Sequence, residues 1–276
     1  MGSEIAGDPW PGHARQWALI GPPLRPCLED LAPLEAEAAR WGSEHGLRVL
    51  LLGVTPEIAR LRWPAGTSLT AVDRSQAMID AVFPRSGVPE RSEACCAEWS
   101  ALPFEAGAFD LVVGDGCFTL LDFPRGVGAA VAECHRVLAK EGRFVIRLFA
   151  APEHREPLAA VARDLTAGHI GSFHILKWRL AMALEPSAAL GVRLGDIWDA
   201  FAELCPDRVA LAVQRGWPRE VIATIDNYRG SDIRYTFPRV AEVRVLLADA
   251  WRELACHVPG YELGDRCPTL VFERRG

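Results

Sequence analysis

An aspartate at the end of an apolar segment is the first residue whose position indicates chemistry. Asp73 follows the mostly apolar residues 69–72 and stands twenty residues after Gly53, which ends the apolar run 49–52. At this place in a parallel sheet, a carboxylate can accept hydrogen bonds from both hydroxyl groups of a ribose. Asp73 could instead cap the helix that begins after it. The spacing of Gly53 and Asp73 leaves both interpretations open.

The turn after the first apolar run, Gly53 to Glu57, indicates which kind of nucleoside fits. Gly53 permits close approach of the backbone, Thr55 can cap a helix, and Pro56 suits the first helical position. A dinucleotide needs further glycines and free N–H groups for its pyrophosphate, whereas Pro56 lacks an N–H and Glu57 would repel phosphate. A nicotinamide or flavin dinucleotide is therefore disfavoured. S-adenosylmethionine, with its ammonium and sulfonium groups, tolerates the Glu57 carboxylate.

Alternating strand and helix patterns position these residues. Strands are predicted over 48–52, 67–72, 92–96, 109–114 and 143–149, with helices from Pro56, from Ser75 and over 125–138. This alternation predicts an α/β fold with a doubly wound, mostly parallel sheet that carries helices on both faces. Phe237 to Leu254 is predicted to form a long helix, and residues 260–263 and 269–273 are predicted to form short strands that close the sheet.

Two further segments lie outside this alternation. Residues 152–232 contain helical stretches, such as Asp196 to Leu204 and Pro218 to Tyr228, and no predicted strand. The N-terminal segment contains a predicted helix opened by Asp30. The predicted organisation is a helical cap over 1–45, a cofactor-binding core over 46–151 and 233–276, and a helical insertion over 152–232 that forms a substrate lid.

Composition and charge restrict the class of partner. The 276 residues carry a formal net charge of −6, and 50% are hydrophobic and 24% charged, which is typical of a globular enzyme and gives no basic field for nucleic acid. The sequence shows neither an apolar run of membrane-spanning length nor a signal-peptide pattern, so we expect a cytoplasmic protein without membrane contact. The eight cysteines show no metal-binding spacing, so no metal site is expected.

Five motifs in order resemble the class I S-adenosylmethionine-dependent methyltransferases, over about residues 48–149 and the closing strands. They are 49–53 for the glycine motif, 71–75 with Met78 for the ribose strand and its helix, 97–104 for the adenine loop, 109–116 for the fourth strand, and 133–138 with 141–144 before the fifth. The resemblance implies a Rossmann-like seven-stranded sheet, S-adenosylmethionine as cofactor and S-adenosylhomocysteine as product. It departs from the family pattern at Leu51, where an acid is usual, and at Thr55 and Glu57, where glycines are usual. Glu57 is predicted to take over the missing acid's contact with the methionine ammonium group.

The resemblance also implies the site residues. Glu98 and Trp99 are expected against the adenine, with core packing as the alternative for Trp99. Asp115 leaves the fourth strand beside the expected methyl group and could act as a base, although an Asp-Gly pair is also common in turns. The expected cofactor-binding residues are Gly53, Val54, Thr55, Glu57, Asp73, Arg74, Met78, Glu98, Trp99, Asp115 and Gly116.

The methyl acceptor must lie over Asp115, covered by segments outside the shared core. Candidate segments are 17–26 and 226–238, which contain arginines and side chains that stack or donate hydrogen bonds. Tyr228 joins Asp115 as a candidate catalytic residue. The expected acceptor-binding residues are Arg25, Arg147, Arg229, Arg234 and Tyr235. A cluster of Arg147, Arg229 and Arg234 would indicate an anionic acceptor, whereas unrelated surface arginines are the alternative.

The predicted function is therefore in-line methyl transfer from S-adenosylmethionine to a small molecule, an anionic one if the arginines cluster. The rival is a non-catalytic S-adenosylmethionine-binding regulatory or partner-binding protein, which the degenerate glycine motif favours. The large helical insertion favours the enzyme, because a sensor has less need of a substrate lid.

Overall fold

A seven-stranded sheet forms the centre of the computed structural model, which describes residues 10–41 and 46–275. Its strands are β1 (Arg48–Leu52), β2 (Ser68–Asp73), β3 (Arg91–Cys96), β4 (Phe109–Asp115), β5 (Leu138–Arg147), β8 (Trp251–His257) and β9 (Thr269–Arg274), and β6 (Val192–Arg193) and β7 (Arg234–Tyr235) form a separate pair. The order across the sheet is β3-β2-β1-β4-β5-β9-β8. The first five strands run parallel, and β9 is antiparallel to β5 and to β8. The predicted doubly wound, mostly parallel seven-stranded sheet is confirmed.

Helices cover both faces of this sheet and build a separate layer after β5. They are α1 (Trp10–Arg15), α2 (Leu28–Ala38), α3 (Pro56–Ala59), α4 (Gln76–Val82), α5 (Arg125–Val137), α6 (Leu158–Ala167), α7 (Phe173–Leu184), α8 (Leu194–Leu204), α9 (Arg208–Arg215), α10 (Arg219–Ala223) and α11 (Val240–Leu247), with 3₁₀ turns at Trp17–Leu19, Cys117–Leu120, Thr224–Tyr228 and Gly264–Arg266. In the described part of the chain, every helix is too short or too polar to cross a membrane.

The continuous apolar run of β1 reflects burial on both faces of the sheet. Val49 and Leu51 belong to the hydrophobic cluster beneath α2, α3 and α4, whereas Leu50 and Leu52 belong to the cluster beneath α5 and α11. Side chains alternate between the faces of a strand, so a strand covered on both sides needs apolar residues at every position. This burial fixes the register of β1 and therefore the position of Gly53 after it.

The segment after β5 has a hydrophobic core of its own. Phe173, Leu176, Ile197 and Phe201 are buried in a third cluster that reaches Phe149 at the end of β5. The predicted helical character is confirmed by α6 to α10. The expectation that 152–232 holds no strand was wrong, because β6 pairs in antiparallel fashion with β7.

Two predictions near the C-terminus and one boundary near the N-terminus need correction. The predicted helix 237–254 ends at Leu247, and Trp251 begins β8, where it packs against Phe144 and Phe272. Residues 260–263 form no strand, so β8 takes the place that they were predicted to fill. The helix assigned to Asp30 begins at Leu28, and the Asp30 carboxylate accepts a hydrogen bond from the Cys27 N–H at 2.8 Å. The end of the predicted cap, near residue 45, lies outside the described residues.

Candidate active site

Two adjoining cavities lie at the carboxyl ends of β1, β2 and β4. The larger cavity encloses about 840 Å³ of space, part of it open to solvent, and the smaller about 370 Å³. Both are lined by Trp10, Asp73, Trp99 and Leu120, so they form one continuous crevice. Open α/β sheets bind their ligands at this edge, where the loops after adjacent strands diverge.

All but one of the predicted cofactor-binding residues line this crevice. Gly53, Val54, Thr55, Asp73, Met78, Trp99, Asp115 and Gly116 line the larger cavity, and Asp73, Arg74, Glu98 and Trp99 line the smaller one. Glu57 is the one predicted cofactor residue that lines neither. The motifs therefore converge from four separate stretches of chain on one groove, as ligand binding requires.

The glycine turn and Trp99 are held together through the backbone of β2. Gly53 has φ +89°, in the left-handed region that favours glycine, and its N–H donates to the Val72 carbonyl at 2.7 Å. The Trp99 indole N–H donates to the same carbonyl, also at 2.7 Å. Trp99 is only 9% exposed but still lines both cavities. Both interpretations of Trp99 apply, because it packs in the core and presents a ring surface to the crevice.

Asp73 has a structural contact and also faces the crevice. One carboxylate oxygen accepts a hydrogen bond from the Ser75 N–H at 2.8 Å, whereas the side chain that caps α4 is Ser75, which accepts from the Met78 N–H. Burial raises the pKa of Asp73 despite this hydrogen bond. The carboxylate is thus oriented by the turn, with the cavity on its other side.

Asp115 belongs to a buried network of charged and polar side chains. The Arg147 guanidinium donates to the Asp115 carboxylate and forms an ion pair with Asp30 at 3.0 Å. The Tyr261 hydroxyl donates to Asp30 at 2.7 Å and accepts from Arg147 at 3.2 Å. Burial raises the pKa of Asp115, and the attraction of Arg147 opposes that rise. Arg147 therefore fixes the Asp115 carboxylate in place and does not reach the cavity itself.

The other predicted acceptor-binding arginines also lie elsewhere. Arg25 donates from Nε to the Glu57 carboxylate at 2.7 Å and stacks on Trp17. Arg229 is exposed over the Trp198 ring, and Arg234 is exposed and donates to the Leu190 carbonyl at 3.0 Å. The structure does not form the predicted cluster of Arg147, Arg229 and Arg234, because one is buried in an ion network and two are on the surface.

Two tyrosines close the far end of the larger cavity. Tyr228 and Tyr235 are 1% and 3% exposed, and their ring centroids are 5.8 Å apart in an edge-to-face arrangement. Burial raises the pKa of Tyr228 well above its ordinary value and that of Tyr235 to about 12. Both hydroxyl groups are therefore neutral near pH 7.

Trp17, Ile20 and Leu24 also line the larger cavity and belong to the candidate segment 17–26. The other lining residues have no counterpart in the sequence prediction: Trp10, His13, Leu52, Cys117, Thr119, Leu120, Leu121, Phe149 and Trp178. Those before residue 25 reach the crevice because α1 packs against α4 and against the turn at Thr224–Tyr228. One signal was available in the sequence: two of the nine tryptophans, Trp10 and Trp17, lie before residue 20 with His13 between them.

The sheet order and the crevice at the ends of β1, β2 and β4 define a Rossmann-like α/β fold with a groove at the edge where such sheets bind ligands. Residues 52–146 match a family model described as a methyltransferase domain. Over these residues, which are less than half of the chain, the sequence is similar to that methyltransferase domain family. The predicted family and its cofactor class are confirmed by this match.

Solved structures with the same fold have low sequence identity to this chain. A putative Zn-dependent alcohol dehydrogenase from Rhodobacter sphaeroides is 15% identical, with TM-score 0.62 and 98% of each chain covered. The complex of the Haloferax volcanii Trm112 methyltransferase activator with a putative methyltransferase is 13% identical, with TM-score 0.52 and 100% of each chain covered. DhpI in complex with SAH is 15% identical, with TM-score 0.52, and the match covers 98% of this chain and 96% of DhpI.

At these identities the structures show the shared fold alone. A comparison with curated proteins finds no match. Within residues 10–41 and 46–275, no three His, Cys, Asp or Glu side chains are grouped so that they could hold a metal ion.

Proposed function

We propose that this protein transfers a methyl group from S-adenosylmethionine to a small acceptor by in-line displacement at the Asp115 end of the crevice. The observation that carries the proposal is the convergence of the cofactor motifs on one groove that continues beyond Asp115 towards Tyr228 and Tyr235. A groove that continues past the cofactor region offers space for a second molecule. A domain that only senses the cofactor has no need of this extension.

The side chains along the groove fit the parts of the cofactor. Asp73 would accept from the ribose hydroxyls, Glu98 from the adenine amino group, and Trp99 would contact the adenine ring. The backbone at Gly53 would approach the methionine moiety closely. When bound, the cofactor supplies an electrophilic methyl group. The protein positions the acceptor, excludes water and receives any proton that the acceptor loses.

The segment 152–232 would serve as the lid over the acceptor, and the N-terminal residues as a cap over the cofactor. Trp178 and Tyr228 of the insertion line the larger cavity together with Trp10 and Trp17 of the N-terminal segment. Apolar rings at this place would keep water from the reacting atoms. An anionic acceptor has little support, because Arg25 and Arg147 are held in ion pairs and Arg229 and Arg234 lie outside the cavities.

Calorimetric titration with S-adenosylmethionine, S-adenosylhomocysteine and NAD(H) tests the cofactor. We expect binding of both adenosyl compounds and none of NAD(H), whereas NAD(H) binding without them would contradict the proposal. Incubation with labelled S-adenosylmethionine and fractionated small-molecule extracts then separates the enzyme from a non-catalytic binding protein. Failure to label any acceptor would favour the binding protein.

Replacing Asp73 by asparagine is expected to weaken S-adenosylhomocysteine binding by about 1.5 to 3 kcal/mol, or about 10- to 150-fold, because a charge-assisted bond to ribose is lost. Asparagine can still accept the hydrogen bond from the Ser75 N–H, so the turn should persist. Asp80→Asn is the matched control, because Asp80 is exposed on α4 and lines neither cavity. Equal affinity for the Asp73 and Asp80 variants would refute the ribose assignment.

Replacing Glu57 by glutamine tests the predicted contact with the methionine ammonium group. The Glu57 carboxylate is already paired with Arg25, so an added ammonium should contribute only about 1 kcal/mol. We expect S-adenosylhomocysteine affinity to fall about fivefold, with adenosine affinity unchanged because adenosine lacks the ammonium. An equal change for both ligands, or no change for either, would remove Glu57 from the cofactor site.

A further inference from the structure

The part of the larger cavity beyond Asp115 is walled by aromatic rings. Trp17, Phe149, Trp178, Tyr228 and Tyr235 line it, and four of these five rings are at least nine-tenths buried. Phe149 meets Trp178 edge to face at 5.2 Å, and Trp178 meets Tyr235 at 5.6 Å. Rings locked against each other in this way form a rigid apolar chamber that favours a flat, apolar guest.

The charges around this chamber disfavour an ionic guest. Arg74 is the one lysine or arginine among the described lining residues, and it lies in the smaller cavity next to Glu98. An anion in the chamber would therefore lack a direct counter-ion. A cation would be repelled by Lys177, which lines neither cavity but whose ammonium nitrogen lies 5.2 Å from the Tyr228 ring centroid. The one carboxylate at the chamber floor, Asp115, is already paired with Arg147.

Four lining groups have no hydrogen-bond partner among the described residues: the indole nitrogens of Trp17 and Trp178, the hydroxyl of Thr119 and Nε2 of His13. Of these, the imidazole of His13 is the one that can act as a base. His13 is 93% buried, since its exposed fraction is 7%, and its ring lines the larger cavity 5.7 Å from the Tyr228 ring. Among the described residues, its Nε2 has no hydrogen-bond partner. A buried imidazole with an unpartnered nitrogen beside a ligand cavity costs free energy unless a ligand or a proton satisfies it.

We propose that the methyl acceptor is a neutral, flat ring system with one protic group, such as a phenol or a ring N–H, and that His13 receives its proton. The inference rests on the proposed function and names the substrate class of that site. The rings of Trp178 and Tyr235 hold the apolar body of the acceptor. His13, on α1, contacts its protic group.

In the proposed methyl transfer, His13 takes up the proton that the acceptor loses. The O–H or N–H bond of the acceptor breaks, its proton moves to an imidazole nitrogen of His13, and the freed electron pair forms the bond to the methyl carbon. The carbon–sulfur bond breaks with its pair on sulfur, so one positive charge leaves the sulfonium and one appears on the imidazole. Burial, followed by the charge of Lys177, lowers the pKa of His13 to about 3, so the imidazole is neutral before the step.

Four matched probes test the acceptor class by calorimetry on the protein saturated with S-adenosylhomocysteine. They are 2-naphthol, naphthalene, 2-naphthoate and 2-naphthylmethylammonium, which share one ring system and differ in their protic or charged group. We expect 2-naphthol to bind at least tenfold more tightly than either charged probe and more tightly than naphthalene. Equal or tighter binding of a charged probe, or binding of none of the four, would overturn the proposal.

The His13→Gln variant tests the proton acceptor with labelled S-adenosylmethionine and 2-naphthol. General-base catalysis contributes about 100- to 10,000-fold, so kcat should fall at least about 100-fold while KM changes little. His169→Gln is the control for the substitution, because His169 is exposed and lines neither cavity. Unchanged kcat in His13→Gln, or no transfer to 2-naphthol by the wild type, would contradict the assignment.

Cofactor titration distinguishes the two ways to fail. A protein that does not bind S-adenosylhomocysteine would refute the proposed function itself, whereas a protein that binds it but not 2-naphthol would refute the acceptor class alone. Thermal unfolding of each variant with S-adenosylhomocysteine verifies that the fold and the cofactor site are intact.

Discussion

Replacing Arg147 by methionine is expected to destabilise the protein by about 3 to 5 kcal/mol, because the change leaves buried carboxylates without their counter-ion. The Arg147 side chain is 2% exposed and lies between Asp115 and Asp30, whose side chains are 5% and 0% exposed. With Arg147 absent, the Tyr261 hydroxyl still donates to Asp30, but no cation remains between the two carboxylates. Denaturant unfolding at pH 7 measures the loss.

The pH dependence identifies the cause of that loss. In the variant, burial without a counter-ion raises the folded-state pKa of Asp115 above its unfolded value. The folded protein then binds more protons, so its free energy of unfolding should increase as the pH falls through this range. Arg125→Met is the control, because the Arg125 side chain is 93% exposed and should contribute less than about 1 kcal/mol. A loss below about 1 kcal/mol at Arg147 would show that the network does not stabilise the fold.

Removing all three charges should recover much of this stability. The triple variant Arg147→Met, Asp115→Asn, Asp30→Asn buries no ion and keeps side chains of similar size. We expect it to unfold at a higher denaturant concentration than Arg147→Met alone. Its affinity for S-adenosylhomocysteine reports whether a charged Asp115 is needed at the cofactor site, independently of its part in the network.

The cofactor half of the crevice was predictable from the sequence because short local patterns determine it. Gly53 follows β1 directly and Asp73 is the last residue of β2, and parallel neighbouring strands end at the same edge of the sheet. The order of the strands then brings Asp115, after β4, to the same edge. Once the strands are recognised, the approximate positions of these three residues follow with little further information.

The acceptor half was not predictable in the same way, because it depends on contacts between distant parts of the chain. His13 and Tyr228 are 215 residues apart in sequence, and they meet only because α1 docks beside the turn that contains Tyr228. The cations were misplaced for a related reason. An arginine in the sequence reveals its charge but not its counter-ion. In the structure, Arg25 is paired with Glu57 and Arg147 with Asp115.

The wrong prediction of one helix over residues 237–254 has a different physical origin. Residues 251–257 form an edge strand that is buried at Trp251 and mostly exposed after it, so their alternation is weak. With Val243 and Leu247 just before, the apolar spacing also suits a continued helix. Pairing with β9, a tertiary contact, decides between the two.

Lys177 carried a signal that sequence patterns can reveal. It lies in the middle of α7, where ten of twelve residues are buried, and a lysine inside a helix that is apolar all round has no solvent to reach. Its side chain is fully buried, and its ammonium nitrogen has no hydrogen-bond partner among the described residues. Such a costly residue is expected where function requires it.

Replacing Lys177 by methionine is expected to stabilise the protein at pH 7, by up to about 4 kcal/mol. Burial lowers the pKa of Lys177 from 10.5 to about 7, and each unit of this shift corresponds to about 1.4 kcal/mol. Between pH 7 and 10.5 the unfolded chain binds more protons, so the wild type gains stability as the pH rises through this window. The variant should lose that slope. Unfolding measured from pH 7 to 10 checks both effects, and a less stable Lys177→Met protein would contradict the buried, unpartnered lysine.

The same substitution connects the stability of the insertion to methyl transfer. The groups that face Lys177 are His13 on α1, His174 on its own helix and Tyr228 in the turn at Thr224–Tyr228, and none of them carries a negative charge near pH 7. Below about pH 7 the Lys177 ammonium is charged and opposes a second positive charge on His13. Methyl transfer to 2-naphthol should therefore decline below pH 7 in the wild type and persist to lower pH in Lys177→Met. If both proteins show the same pH profile, Lys177 does not control the proton transfer, and its burial must serve the packing of α7 alone.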